Sequence, residues 1–337
     1  MKRRNSLVSD LLTELAAETG IKLLIEPEFG YAGRIITPDH RVFYFHSTKF
    51  DINRLGASEI AEDKDYASFF MSQLGYPVPE GKAFYSDEWC WKIKSSKNSQ
   101  AAVHYAEQLG FPVIVKPNSE SQGRGVEKVY AKEDLLVALS YIFNHLKDKV
   151  ALVQKVVAGN DYRIVVLENE VLCAYQRTPL SVTGDGKKTI RKLLEEKQSQ
   201  FENRGRDTVI NLNDQRIERI LRHEKLLFTT VLTKNKTVQL LANANLSSGG
   251  EAVDVTSSLH EDYKKMAIRL TRDMGLTYSG IDIMTKQPIN KSLKDYTVIE
   301  INAAPGLDYY AETGSTQRQI VKVLYKKLLL HMVRTHE

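Results

Sequence analysis

The sequence predicts a mixed fold of the α/β (α+β) class, and three observations carry that prediction. From Pro112 the chain reads strand, glycine-serine turn, strand, helix, strand (PVIVK, SESQGRG, VEKVY, Glu133 to Lys147, VALVQ). Apolar residues recur at helical spacing in segments that end at a glycine, the first being Leu7, Leu11, Leu12 and Leu15 before Gly20. Two late strands, Ser279 to Thr285 and Tyr296 to Asn302, carry carboxylates among isoleucines. At roughly 150 residues per domain, 337 residues imply two domains or one domain with a lid.

Composition excludes several classes. With 42% hydrophobic and 26% charged residues the chain reads as globular rather than disordered or fibrous. Cys90 and Cys173 are the only cysteines, so neither a disulfide framework nor a structural zinc site is available, which fits a reducing, cytoplasmic setting. The most apolar stretch, Val321 to Val333, is interrupted by Lys322, Lys326, Lys327 and His331, so no membrane span is expected. At the start, Lys2, Arg3 and Arg4 precede Asp10, Glu14 and Glu18, which break any signal-peptide core; an ordinary first helix is expected. The net charge of +5 is spread along the chain. The most basic segment, Lys187 to Arg222, also holds Glu195, Glu196, Glu202, Asp207, Asp214 and Glu218, so a solvated surface is favoured over nucleic-acid binding.

Ile21 to Glu26 and Val42 to His46 read as strands, and Ile60 to Leu74 as one helix closed by Gly75. Lys92 to Gln100 reads as a linker or loop before the helix Ala101 to Leu109. Tyr162 to Leu167 and Val171 to Gln176 are strands, and the charged stretch from Pro179 to about Lys236 reads as an insertion with two helices. A strand Val238 to Ala242, a loop Asn245 to Gly250, a helix His260 to Met274 and a final helix from about Thr316 complete the order.

The acids in the late strands carry the chemistry. In VIEIN, Glu300 and Asn302 share one face, and in GIDIM Asp282 stands opposite Ile281 and Ile283. A carboxylate on a half-buried strand is costly unless a cation meets it. If the strands are neighbours, Asp282, Glu300 and Asn302 form a hard oxygen set suited to Mg²⁺, which usually takes one or two carboxylates and fills its shell with phosphates and water. An arginine or lysine partner for each acid is the competing reading. Lys116 ends an apolar strand just before Ser121, Gln122, Gly123, Arg124 and Gly125, a turn whose backbone amides can cradle phosphate oxygens. The Gly184 to Thr189 stretch is not a Walker A loop, because Ser181 and Lys188 stand where glycine and Ser/Thr are required.

Taken in order, Lys64 in AEDKDYASFFMSQLGYPVPEG, Lys116 in FPVIVKPNSESQGRGV, VQKVVAGNDYRIVV, GIDIM and VIEINAAPG resemble the ATP-grasp superfamily over residues 55 to 330. YRIVV, VTGDGKKTIRKLL and ANANLSSGGEAVDVT bring the likeness closest to the ATP-grasp modules of cyanophycin synthetase and of bifunctional glutamate–cysteine ligase/glutathione synthetase. The resemblance implies a nucleotide held between two α+β subdomains: a preceding region over 1–58, an ATP-grasp domain over 59–337, a lid subdomain over 112–156 and an insertion over 179–236. It gives Lys64 and Lys116 to the ATP phosphates and Ser121, Gln122, Gly123 and Gly125 to a phosphate-covering loop. Gln154, Lys155 and Val157 become the adenine hinge, Asp161 the ribose contact, and Asp282, Glu300 and Asn302 the ligands of Mg²⁺ or Mn²⁺. Arg163 and Arg177 would meet the transferred phosphate and the acyl group, with Ser248 and Gly249 offering a hydroxyl and backbone donors beside it. The implied reaction is ATP-dependent joining of a carboxylate to an amine through an acylphosphate, releasing ADP and phosphate, on amino-acid or peptide substrates, in a chain whose relatives are commonly homodimers. A non-catalytic nucleotide-binding or partner-binding module is the alternative. Such a module should have lost a phosphate lysine or a magnesium carboxylate, and this sequence keeps them all.

Overall fold

The structure is a computed structural model describing residues 6–334, so Lys2, Arg3 and Arg4 lie outside the described residues. Helix α1 (Leu7–Thr19) begins where the Ser6 hydroxyl accepts from the Ser9 N–H and ends at Gly20, whose φ of 71° suits a residue without a side chain. An antiparallel meander follows: β1 (Lys22–Ile25), β2 (Ala32–Ile36), β3 (Val42–His46) and β4 (Lys49–Phe50). Strand β2 escapes pattern reading because Ala-Gly-Arg breaks its apolar alternation, and Gly33 is needed where the Phe45 ring lies on the backbone.

The helix expected over Ile60 to Leu74 is two helices, α2 (Leu55–Glu62) and α3 (Lys64–Gln73). Asp63 between them is extended (φ −86°, ψ 107°), and its carboxylate caps α3 by accepting from the Tyr66 N–H at 2.9 Å. The break makes Lys64 the first residue of α3, a position a continuous helix would not give it.

A second unit contains β5 (Gly81–Tyr85), α4 (Asp87–Ile93), α5 (Ser99–Leu109), β6 (Val113–Pro117), β7 (Glu127–Val129), α6 (Lys132–Ser140) and β8 (Val150–Lys155). Its antiparallel sheet has the order β5-β8-β6-β7. The expected polar linker shrinks to 94–98, because Lys92 and Ile93 finish α4 and the Asn98 side chain caps α5. After α6 a π-helical turn, Tyr141–His145, takes up the rest of the expected helix.

The chain then passes through 156–159 from this sheet into β9 (Asn160–Leu167) and β10 (Glu170–Thr178). β11 (Ser181–Thr183), α7 (Ile190–Asn203), α8 (Gln215–His223) and β12 (Thr237–Gln239) form the insertion, β11 and β12 pairing to close it around Leu180, Ile190, Leu194 and Ile217. β13 (Glu251–Asp254), α9 (Glu261–Asp273), β14 (Tyr278–Thr285), β15 (Tyr296–Asn302), α10 (Asp308–Ala311) and α11 (Ser315–Arg334) finish the chain.

The largest sheet has the order β13-β10-β9-β14-β15, with β9 at its centre. Strand alternation splits its side chains. Tyr162, Ile164, Val166, Ile281 and Ile283 pack beneath α9 and α3, while Val165, Leu167, Cys173 and Tyr278 pack against α1 and α11. Each buried aliphatic side chain in these layers contributes about 1.5–3 kcal/mol, so the sheet is held from both sides. No described helix is long and apolar enough to cross a membrane.

Candidate active site

Alternation along β9 sends Arg163 to the face opposite Tyr162 and Ile164, and the register does the rest. Tyr175, Arg163, Asp282 and Glu300 stand side by side across β10, β9, β14 and β15. Two residues further along, Arg177 and Asp161 are directly opposed on β10 and β9. Asp282 is 2% exposed. Arg163 grips it with both prongs, Nε donating to Oδ1 at 2.6 Å and Nη2 to Oδ2 at 2.7 Å. Arg177 adds a contact from Nη2 to Oδ2 at 2.8 Å and pairs with Asp161 at 2.7 Å. Burial alone would raise the Asp282 carboxyl; Arg163 and Arg177 overturn this and hold it below the usual carboxylate range.

These contacts show which partners the expected ligands have in this structure. The cation that answers the buried Asp282 is an arginine, and Arg163 Nη2 also lies 3.5 Å from Glu300 Oε1, so one guanidinium spans the two carboxylates of the expected metal set. Asn302 Nδ2 donates to Glu300 Oε1 at 3.2 Å, which turns its amide hydrogens towards the acid. Among the described residues no three His, Cys, Asp or Glu side chains gather as a metal set. Two carboxylates and an amide on adjoining strands still fit a hard divalent ion by their chemistry, once the guanidiniums withdraw. Asp161, expected at a ribose, is the ion-pair partner of Arg177, and burial raises its carboxyl in spite of that arginine. Sequence could not supply the Arg163–Asp282 pair, whose members are 119 residues apart.

Two lysines approach this row, Lys116 from β6 of the other sheet and Lys64 from the start of α3. Lys116 is 5% exposed, and burial draws its ammonium down to about 8, with Glu300 and Asp282 pulling up and Lys64 pushing down. Lys64 Nζ donates to the carbonyls of Asn118 at 3.1 Å and Glu120 at 2.7 Å, fixing the foot of the glycine loop. Asn118 ties that foot to α3, its Nδ2 donating to Asp63 Oδ2 and its Oδ1 accepting from the Asp65 N–H.

The loop itself is gripped by its carbonyls. Gly123 O accepts from Asn243 Nδ2 at 2.9 Å and from Arg216 Nη1 at 2.8 Å, and the Ser247 hydroxyl donates to Gln122 O at 3.3 Å. The N–H groups of Gln122, Gly123 and Gly125 have no bond among the described residues, which leaves them for an anion. Gly123 has φ +73°, and a Cβ there would lie 1.8 Å from Asn243 Nδ2. Gly123→Ala is therefore expected to dislodge the loop and weaken nucleotide binding about tenfold or more, read by fluorescent-nucleotide titration. Unchanged affinity would show that the loop does not cover phosphates.

Gln154 is buried in β8 beside Gly81, Lys155 is exposed with its N–H on Glu80 O, and Val157 lies in the 156–159 crossing between the two sheets. Ser248 and Gly249 lie in a short turn beside the glycine loop. The N–H of Ser248 donates to Asn245 O and that of Gly249 to Leu246 O, so both amides are bonded inside a 3₁₀ turn. The hydroxyls of Ser247 and Ser248 line a cavity of about 720 Å³ between the loop and the insertion, which Asn211, Asn213 and Tyr309 also line. Of the loop's clasps, Arg216 lies in the charged insertion and carried no sequence signal, while Asn243 lies in the ANANLSSGGEAVDVT segment with no role assigned to it from sequence.

A lid sheet bearing a lysine and a glycine loop, facing a second antiparallel sheet that bears a carboxylate row, is the ATP-grasp arrangement, and the chain belongs to the ATP-grasp superfamily. Residues 70–235 match the D-ala D-ala ligase C-terminus family and residues 225–324 the RimK-like ATP-grasp domain. The glutathione biosynthesis bifunctional protein of Mannheimia succiniciproducens is 31% identical over 278 residues, covering 79% of this chain and 35% of that protein. Cyanophycin synthetase of Synechocystis sp. is 31% identical over 256 residues, covering 74% of this chain and 28% of that protein. The chain thus spans about a third or less of these curated relatives. The crystal structure of a bifunctional glutathione synthetase from Pasteurella multocida superposes with TM-score 0.57 at 24% identity, over 95% of this chain and 44% of that one, a likeness of fold.

Proposed function

We propose that the chain is an ATP-dependent carboxylate–amine ligase acting on amino acids or short peptides. The observation that carries this is the convergence of Lys116, from strand β6 of one sheet, and Lys64, from the start of α3, near the row Arg163, Asp282 and Glu300 of the other sheet. The names of the relatives, a glutathione-forming protein and cyanophycin synthetase, support it. The domain division goes with it: a region 1–58, and an ATP-grasp domain 59–337 with its lid over 112–156 and its insertion over 179–236. A reducing compartment suits the two cysteines, which are free and buried.

In this reading Lys64 and Lys116 neutralise the nucleotide phosphates, and the loop amides of Gln122, Gly123 and Gly125 cradle them. The acceptor carboxylate attacks the terminal phosphate in line, giving an acylphosphate and ADP; the amine then forms the C–N bond and phosphate leaves with the C–O electrons. Arg163 and Arg177 offset negative charge as it shifts between phosphate and acyl oxygens. Asp282, Glu300 and Asn302 would hold Mg²⁺ or Mn²⁺, which supplies charge neutralisation and alignment of phosphate oxygens. The loop and insertion exclude water from the acylphosphate.

The test is ADP release with Mg²⁺ and a panel of amino acids and short peptides. Stimulation above the rate of ATP alone supports a ligase; tight ATP binding with none across the panel favours the binding-module alternative. A pH prediction accompanies it. Only the ammonium form of Lys116 attracts phosphate, so ATP affinity is expected to be flat well below pH 8 and to fall as pH rises through the Lys116 value of about 8. Arginine stays charged throughout this range, so Lys116→Arg is expected to flatten the profile in calorimetric titrations. An equally steep fall in that variant would remove Lys116 from phosphate binding.

A further inference from the structure

We infer that Arg163 makes divalent-ion binding conditional on a polyphosphate: guanidinium and metal compete for Asp282, and the exchange is favourable only when phosphate oxygens can take over the arginine. This rests on the reading that ATP and a divalent ion meet at this row.

Occupancy is the first observation. Both Asp282 oxygens accept from Arg163 at 2.6 and 2.7 Å, and Arg177 takes a second position on Oδ2 at 2.8 Å. A carboxylate offers about four lone-pair positions, and here three contacts fill those facing β9 and β10. The same Arg163 Nη2 reaches towards Glu300 at 3.5 Å, and Asn302 points its N–H₂ rather than its oxygen at that acid. Both Asp282 oxygens and Glu300 Oε1 are therefore turned to hydrogen-bond donors, and a metal would have to displace Arg163 to reach Asp282.

Charge is the second. Lys64, Lys116, Arg163 and Arg177 bring four positive charges to the cluster, against three negative ones from Asp161, Asp282 and Glu300, an excess of one positive charge. A bare dication entering this buried cluster meets net repulsion in a low-dielectric setting. A nucleotide of about −4 charge reverses the balance and offers the guanidiniums oxygens with the geometry they favour. Metal and nucleotide should then strengthen each other's binding by one common factor.

The probe is Mn²⁺ alone, titrated by electron paramagnetic resonance and by its effect on Tm, with and without a non-hydrolysable ATP analogue. In the wild type, Mn²⁺ affinity is expected to rise about tenfold or more when the analogue is present, and Mn²⁺ alone to leave Tm unmoved. Arg163→Gln exposes the Asp282 oxygens. Without nucleotide it is expected to bind Mn²⁺ about tenfold more tightly than wild type, to gain Tm on adding Mn²⁺, and to lose most of its dependence on the analogue. Arg163→Lys, which keeps the charge but not the fork, should fall between the two. Equal Mn²⁺ affinity of wild type with and without bound analogue overturns the inference while leaving the ligase reading intact, as does wild-type behaviour of a folded Arg163→Gln. If the variants do not fold, the wild-type pair of titrations still decides. Failure of the analogue to bind wild type at all overturns the functional reading together with this inference.

Discussion

Asp282→Asn is expected to abolish substrate-stimulated ADP release, by more than about 100-fold, and to lower stability by about 3–5 kcal/mol. Both effects have one cause. Asparagine keeps the size of the side chain, but it cannot accept two guanidiniums as an anion, so Arg163 and Arg177 are left in the sheet with Asp161 and Glu300 alone. The stability loss should lie near the lower end, because those two acids still offer compensation. The sign with pH is fixed as well. The folded-state carboxyl lies below its unfolded value near about 4, so its contribution is complete above that pH and is lost as pH falls further. The gap between wild type and Asp282→Asn in urea denaturation should therefore close on acidification below about pH 4. A gap that widened there would assign the loss to packing rather than charge.

Arg219→Ala is the second large effect, and it acts on the clasp between insertion and lid. Arg219 on α8 pairs with Glu127 of β7 and, at 3.0 Å, with Asp134 of α6, and both Arg219 and Glu127 are buried. The contacts are ionic rather than aligned hydrogen bonds, since neither Nε nor Nη1 of Arg219 meets a partner in good hydrogen-bond geometry. Alongside, the His223 ring stacks on Tyr130 with centroids 3.6 Å apart, and Arg216 holds Gly123 O. Truncation takes this cation from Glu127 and Asp134, at a cost of about 3–5 kcal/mol. Faster hydrogen exchange over 119–126 and a lower urea midpoint are expected. Glu127→Gln added to Arg219→Ala should restore part of the midpoint, because it removes one stranded charge. Protection over 119–126 that stayed at the wild-type level would show that α8 rests on the lid without restraining it.

Much of the arrangement was legible because its signals are local. Gly20, Gly110 and Gly275 end helices where the chain must turn into φ values of +71°, +80° and +71°. VIEIN and GIDIM were readable as strands with acids set among isoleucines, and the structure makes them neighbours with Asp282 directly opposite Glu300. What stayed hidden depends on distant partners or on a single residue's choice. Asp63 lies inside a run of helical spacing, yet its carboxylate prefers to cap α3, and nothing in the apolar pattern records that competition. The demand of Asp282 for a cation was evident from its isoleucine neighbours. That Arg163 answers it follows only from the register of β9 against β14. Ser248 and Gly249 read as donors because small residues expose their amides; a 3₁₀ turn consumes those amides internally.

The order β13-β10-β9-β14-β15 separates neighbours in space by long stretches of chain. β9 receives one partner from the adjoining hairpin, while the other, β14, is made only after the insertion and α9 have been synthesised. During translation Arg163 thus waits through 119 residues for its acid, and a ribosome paused before Tyr278 holds half a sheet with an open edge. Such late, long-range closure is slow to form and leaves no working fragment. The Arg163–Asp282 pair is thus one of the contacts by which β14 completes the central sheet.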